Sequence, residues 1–283
     1  MMRWSRYCRQ VAKVILPGRI LIFFALLLLL WAPLAVPVYG VGVLWGLSNI
    51  ASIVALVFLY SCFIGIAWFW GRWVHKWRQP WSHYGLLCRR QFVSDGCVAL
   101  LVGFGLVVAM FGLQVLLGWA SFYPRSLTGI ALEGLLVGLA IGFAEELLFR
   151  GWLLAELKTS LPRYQAILWS SLIFAIAHFI KPLPEVLSTS PQFLGLLLLG
   201  LILGAGRYIS RLKPTFASLA LPMGLHAGLV WGYYIVDVGD LVIPSGRVPE
   251  WVTGIHGNPL SGALGVSILS CLTVLALFKL RSK

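Results

Sequence analysis

Charge is what this chain has least of. Only nine of its 283 residues are Asp or Glu, and charged residues of both signs make up 11% of the sequence against 60% hydrophobic ones. Mean hydropathy is +0.91. So little polarity excludes a soluble globular domain and points to an all-α, polytopic transmembrane helical bundle. The five cysteines are scattered and odd in number, with no CxxC pair, which argues against a disulfide framework and against a zinc knuckle. H-E-x-x-H is missing too, so the helix of a standard zinc protease is absent.

Apolar runs of about 20 residues fall at roughly 20–38, 46–70, 93–118, 130–149 (continuing towards Leu157), 164–180, 192–206, 215–236 and 260–278. Eight spans place the basic residues unevenly. Five of the 22 lie in the N-terminal tail, five in the 71–92 connection, and three each after the fourth span, after the sixth and in the C-terminal tail. That makes 19 on one side, leaving Arg125, Lys181 and Arg247 on the other. The positive-inside rule then gives an N-in, C-in topology. The net charge of +13 is thus a topology signal, and nucleic acid is not an expected partner. We expect an integral protein of a bacterial cytoplasmic membrane or its equivalent. The run Leu26 to Leu30 is too long for the core of a signal peptide and lacks a small-x-small site after it, so it reads as an uncleaved first span.

Two segments outside the spans hold chemistry-bearing residues with ordinary explanations. The connection 71–92 carries Trp73, Trp77 and Trp81 with His75 and His83, which suits an interfacial aromatic belt. The loop 237–259 holds Asp240, Glu250 and His256, and reads as solvated. Residues 1–129 form three N-terminal spans in this reading, and 130–283 a catalytic helical core.

The few acids are placed with effect. Glu145 and Glu146 sit side by side inside the apolar run Leu139–Phe149. A carboxylate at such depth is costly and faces a partner or a polar cavity. Glu146 and Arg150 are four apart, acid first, so each makes the other tolerable. Glu145 is turned about 100° from its neighbour and cannot share that partner easily. Glycines at 134, 138 and 142 form a stripe for close helix packing, and Glu145 returns to within about 20° of it. The same spacing recurs at Gly200 and Gly204, and at Gly224, Gly228 and Gly232.

Two histidines lie in later spans. Ser171, Phe174 and His178 share one helix face, and His226 follows Gly224. At 1.5 Å per residue, Glu145, His178 and His226 stand about 18, 24 and 18 Å above the cytoplasmic helix ends, so they can meet in one cavity. A carboxylate with two imidazoles suits water activation, the glutamate as base and an imidazole facing the developing oxyanion. The same three groups also suit zinc with an open fourth position.

Glu145-Glu146-x-x-x-Arg150, Phe174-x-x-x-His178 and His226 in Gly-Leu-His-Ala-Gly, in that order on separate spans, resemble the three signature motifs of the CPBP intramembrane protease family. That family includes type II CAAX prenyl endopeptidases and Abi proteins. The resemblance implies that Glu145 and His178 activate water, that Glu146 pairs with Arg150, and that His226 helps to form an oxyanion site. It leaves both a metal mechanism, with Glu145, His178 and His226 as ligands, and a metal-free one open. One position departs from the pattern: Val230 stands where the family usually has Asn. Tyr233, about 20° off the His226 face, is the nearest replacement donor.

Three functions follow for weighing. The first is an intramembrane endopeptidase cutting a membrane-associated peptide or protein, prenylated or hydrophobic, near the cytoplasmic half of the bilayer. The second, favoured by Val230, is a catalytically silent member acting as a membrane scaffold or peptide-immunity factor. The third is a proton-coupled transporter, against which stands the lack of any repeat between the two halves.

Overall fold

The computed structural model describes residues 2–209 and 217–282, with side chains from Tyr7 onward. Of the basic residues counted above, Arg211, Lys213 and Lys283 lie outside the described residues, as does the first part of the seventh span.

The chain is helical almost throughout and forms two packed units, Met1–His83 and Tyr84–Lys283. The first contains α1 (Met2–Lys13), α2 (Leu16–Leu44) and α3 (Ser48–Phe69), the last running into a π-turn at Trp70–Val74. Here α2 and α3 pair as a hairpin. Phe23 meets Phe63 and Trp70 edge-on at 6.0 and 5.4 Å, and Trp31 donates from Nε1 to the Ala55 carbonyl at 2.8 Å. Leu28, Leu29 and Leu30 point outward and exposed, as a lipid-facing surface requires.

After the short α4 (Pro80–Tyr84), the second unit begins with α5 (Arg90–Leu116), β1 (Ala120–Phe122) and α6 (Thr128–Glu146). A π-helix at Leu147–Leu153 leads into α7 (Leu154–Leu157), α8 (Arg163–Ala177) and α9 (Leu183–Thr189). Then come α10 (Phe193–Gly206), α11 (Ala220–Val238), β2 (Val242–Pro244), α12 (Glu250–Thr253) and α13 (Ala263–Arg281). The sequence boundary at 129/130 is not the packing boundary, because α5 lies against α11 and goes with the later helices.

Glycine explains that arrangement. A Cβ on Gly138 would stand 2.6 Å from the Ala227 carbonyl, and one on Gly142 would stand 2.8 Å from that of Met223, so α6 approaches α11 backbone to backbone. On the opposite face of α11, Gly224 and Gly228 leave room only for the carbonyls of Gly96 and Leu100 in α5. Bare backbone is what permits such contact where no hydrophobic drive operates between helices. Around this sandwich α10 packs on α8 and α13. Gly200 admits Ser171, and a core of Leu199, Ile202, Leu203 and Leu225 forms beside it.

The only strands among the described residues are β1 and β2, which pair antiparallel with Ala120 opposite Pro244. They tie the α5–α6 connection to the exit of α11 and mark one face of the unit. Among the described residues, five helical stretches are long and apolar enough to cross a membrane: Leu16–Leu44, Ser48–Val74, Arg90–Leu116, Leu183–Gly206 and Ala263–Arg281. The helices carrying Glu145, His178 and His226 are not among these five.

Candidate active site

Glu145, His178 and His226 come together from α6, the end of α8 and α11. Glu145 Oε2 lies 3.9 Å from His178 Nε2 and 4.0 Å from His226 Nε2, and it has no hydrogen-bond partner among the described residues. The Glu145 side chain is 27% exposed, His178 32% and His226 7%.

Each imidazole is held through its other nitrogen. Because α8 ends at Ala177, the carbonyl of Phe174 is among the last four that no helical N–H reaches. His178, the capping residue, donates to it from Nδ1 at 2.8 Å. His226 donates from Nδ1 to Glu146 Oε1 at 2.9 Å. A carbonyl and a carboxylate can only accept, so both Nδ1 atoms carry the proton. In a neutral imidazole that leaves Nε2 as a lone pair aimed at Glu145.

Behind this trio lies a closed polar block. Glu146 and Arg150 are both fully buried, with Arg150 Nη1 on Glu146 Oε1 at 2.8 Å and Nη2 on the Gly200 carbonyl at 3.2 Å. The guanidinium lies 4.2 Å above the Phe174 ring, a favourable cation–π placement away from water. Phe174 in turn meets His178 edge-on at 4.5 Å and Phe149 at 5.2 Å. One ring therefore spaces the arginine from the histidine.

The π-helix supplies the rest. The carbonyls of Arg150 and Gly151 within it both accept from Arg207 Nη1, the second at 3.3 Å. Ser170 Oγ takes the Phe149 carbonyl at 2.9 Å. Such widened turns recur at functional sites because they redirect side chains and expose backbone acceptors. Burial lowers the Arg207 pKa from its ordinary value, and Tyr208 pulls the other way.

Three of these features escape a reading of the sequence. Arg207 registers there only as a cytoplasmic cation at a span end, whereas it is buried against the π-helix. The bond from His226 to Glu146 joins residues 80 apart. Ser170, next to Ser171, carries no pattern of its own.

Val230 and Tyr233 line the cavity above His226. The Tyr233 hydroxyl donates to Asp237 at 3.3 Å, one turn further along α11, and so is turned from the histidine. His75, Trp77 and His83 stack face to face at 4.6 and 4.4 Å within the 71–92 connection. Asp240 pairs with Arg125 at 3.2 Å on the exposed hairpin face, a contact of about 0–1 kcal/mol. Glu250 Oε2 accepts from the His256 backbone at 3.3 Å.

A zinc ion fits the donor set poorly as it stands. Bonds of 2.0–2.1 Å in a tetrahedron put two donors about 3.3–3.4 Å apart, and the separations here are 3.9 and 4.0 Å. Among the described residues no cluster of three His, Cys, Asp or Glu meets the arrangement of a metal site.

The fold and the site define a helical membrane protein in which one carboxylate is flanked by two oriented imidazoles. Residues 127–232 match the family model of Rce1-like type II CAAX prenyl endopeptidases, the family that the motifs resemble. The matched stretch runs from the start of α6 through the glycine stripe of α11 and includes all three site residues. Neither a curated protein nor a solved structure gives a match.

Proposed function

We propose that the chain is an intramembrane endopeptidase in which Glu145 is the base that activates water. The observation that carries this reading is a Glu145 carboxylate oxygen, unpartnered among the described residues, facing the Nε2 atoms of two imidazoles at the floor of a cavity of about 350 Å3. An oxygen about 2.8 Å from both Glu145 Oε2 and His178 Nε2 subtends roughly a right angle across the 3.9 Å gap, which suits the two O–H bonds of one water. The water oxygen adds to the scissile carbonyl carbon while its proton passes to Glu145. The proton then goes to the leaving amine as the C–N bond breaks.

His226 has a different task from His178. To meet an oxyanion its Nε2 must carry a proton, and Nδ1 has already given its own to Glu146. The donor is then the imidazolium, and the Glu146 carboxylate offers that charge a partner. Glu146 thus positions His226 as well as neutralising Arg150.

The family match supports a CAAX-type endopeptidase at family level. The test is Glu145→Gln, which keeps shape and removes the base. Peptide cleavage should fall by about 10²–10⁴-fold with the folded fraction unchanged. Full activity in this variant removes Glu145 from the role.

A second reading rests on Val230. It lines the cavity where the family pattern has an amide donor, and Tyr233 is occupied by Asp237. A member without turnover, retaining the fold as a scaffold, is consistent with that loss. In that case neither the parent nor any Val230 variant cleaves peptide.

A further inference from the structure

We infer that the cavity takes a neutral, apolar peptide segment delivered from the non-cytoplasmic face; the inference rests on the endopeptidase reading for its occupant but not for its direction. The direction follows from where the lining residues lie along their helices. In α11, Leu229, Val230 and Tyr233 follow His226, rising about 4 to 10 Å towards β2. In α6, Ile141 precedes Glu145 and so lies nearer β1. From α5 come Leu106, Val107 and Met110, in the half of the helix that ends at β1. The outermost contributions are Gln192, at the start of α10, and Asn258 to Leu260, just before α13.

Every one of these positions is on the β1–β2 side of the trio. On the other side the block of Glu146, Arg150, Phe174, Arg207 and Trp152, each between 0 and 4% exposed, closes the way. Glu145 is therefore reached from the open side. The cytoplasmic-half cleavage expected from depth arithmetic alone does not anticipate this, because depth does not say which way a cavity points.

The β1–β2 side carries Arg125, Lys181 and Arg247, against Arg89, Arg90, Lys158, Arg163, Lys279 and Arg281 at the opposite helix ends. By the positive-inside rule the β1–β2 side is non-cytoplasmic. The lining also speaks to the occupant. Apart from Tyr233, its only ionisable groups are Glu145, His178 and His226, and no Lys or Arg contributes. A free C-terminal carboxylate entering here meets the like charge of Glu145 with no cation to neutralise it. An internal, uncharged stretch with aliphatic side chains meets leucines, valine and isoleucines, with the amides of Gln192 and Asn258 at the outer end for its backbone.

Single cysteines in a full-length protein with the five native ones replaced test both parts. Val230→Cys, or Leu260→Cys should the first not fold, is treated with a charged, membrane-impermeant thiosulfonate in intact cells and in inside-out vesicles. Ser245→Cys reports the β1–β2 side and Ser282→Cys the other. Modification of the cavity cysteine together with Ser245→Cys, from outside the cell, is expected. Modification together with Ser282→Cys, from inside only, or in neither preparation overturns the direction. N-acetyl-tetraleucine amide should slow the cavity reaction, and the corresponding free acid should not. Equal protection by both, or by neither, overturns the occupant. None of these readouts needs turnover, so an inactive protein that labels from outside refutes the protease reading and leaves the direction standing.

Discussion

Replacing Glu146 by Gln removes the one carboxylate that holds both Arg150 and His226. Glu146 Oε1 accepts from Arg150 at 2.8 Å and from His226 at 2.9 Å, with all of Glu146 and Arg150 out of water. In Glu146→Gln the guanidinium keeps the Gly200 carbonyl and the Phe174 ring but loses its counter-charge. Breaking a buried pair in this way costs about 3–5 kcal/mol, between roughly 10² and 10⁴ in the folding equilibrium. Equilibrium unfolding in mixed micelles reads that loss. Glu146→Gln/Arg150→Met removes both charges, and stability should return close to the parent, because a neutral, well-packed replacement of a buried pair is tolerated. Peptide cleavage should not return, since His226 Nδ1 still lacks its carboxylate, and turnover should stay about 10²–10⁴-fold down. Parental stability in the single variant, or an active double variant, would refute the shared-carboxylate reasoning.

Two further substitutions probe the same region. Val230→Asn should raise kcat by up to roughly 10²-fold with KM nearly constant, the scale of one oxyanion donor; a slower enzyme would mean that another group already fills the place. Arg207→Met should lower stability by about 1.5–3 kcal/mol for each charged hydrogen bond lost to the Arg150 and Gly151 carbonyls, read as a fall in Tm, and an unchanged Tm would show that the π-helix holds without it.

Much of this is legible in residue order because membrane burial makes polar residues informative. Two glutamates among leucines and one arginine four residues on already separate a paired carboxylate from an unpaired one, and the glycine stripes name the faces that pack. Arg207 is illegible for the same reason that the basic residues are useful: a compartment count treats every cation at a helix end as solvated. The π-helix is equally hidden, since Leu147-Leu148-Phe149-Arg150-Gly151-Trp152-Leu153 has no breaker and reads as ordinary helix. Helix lengths also differ from apolar runs. α8 stops at Ala177, so His178 is a cap, and α11 begins at Ala220, which puts His226 only about 9 Å from its start. The antiparallel pair of β1 and β2 lies in segments too brief for alternation to show.

The segment Leu147–Leu153 acts as a phase adjuster between two parts of one rod. Upstream, the angular position of Glu145 and Glu146 is set by the glycine contacts of α6 with α11. Downstream, that of Trp152, Leu153 and Leu157 is set by their burial in the core. A wide turn holds more residues than an α-turn, so it absorbs a mismatch between those two settings. Losing a single residue here would leave every side chain chemically intact yet turn the carboxylates by about 100° relative to their anchor. The chemistry of the site is therefore encoded in the count of residues between Glu146 and Leu154 as much as in their identity.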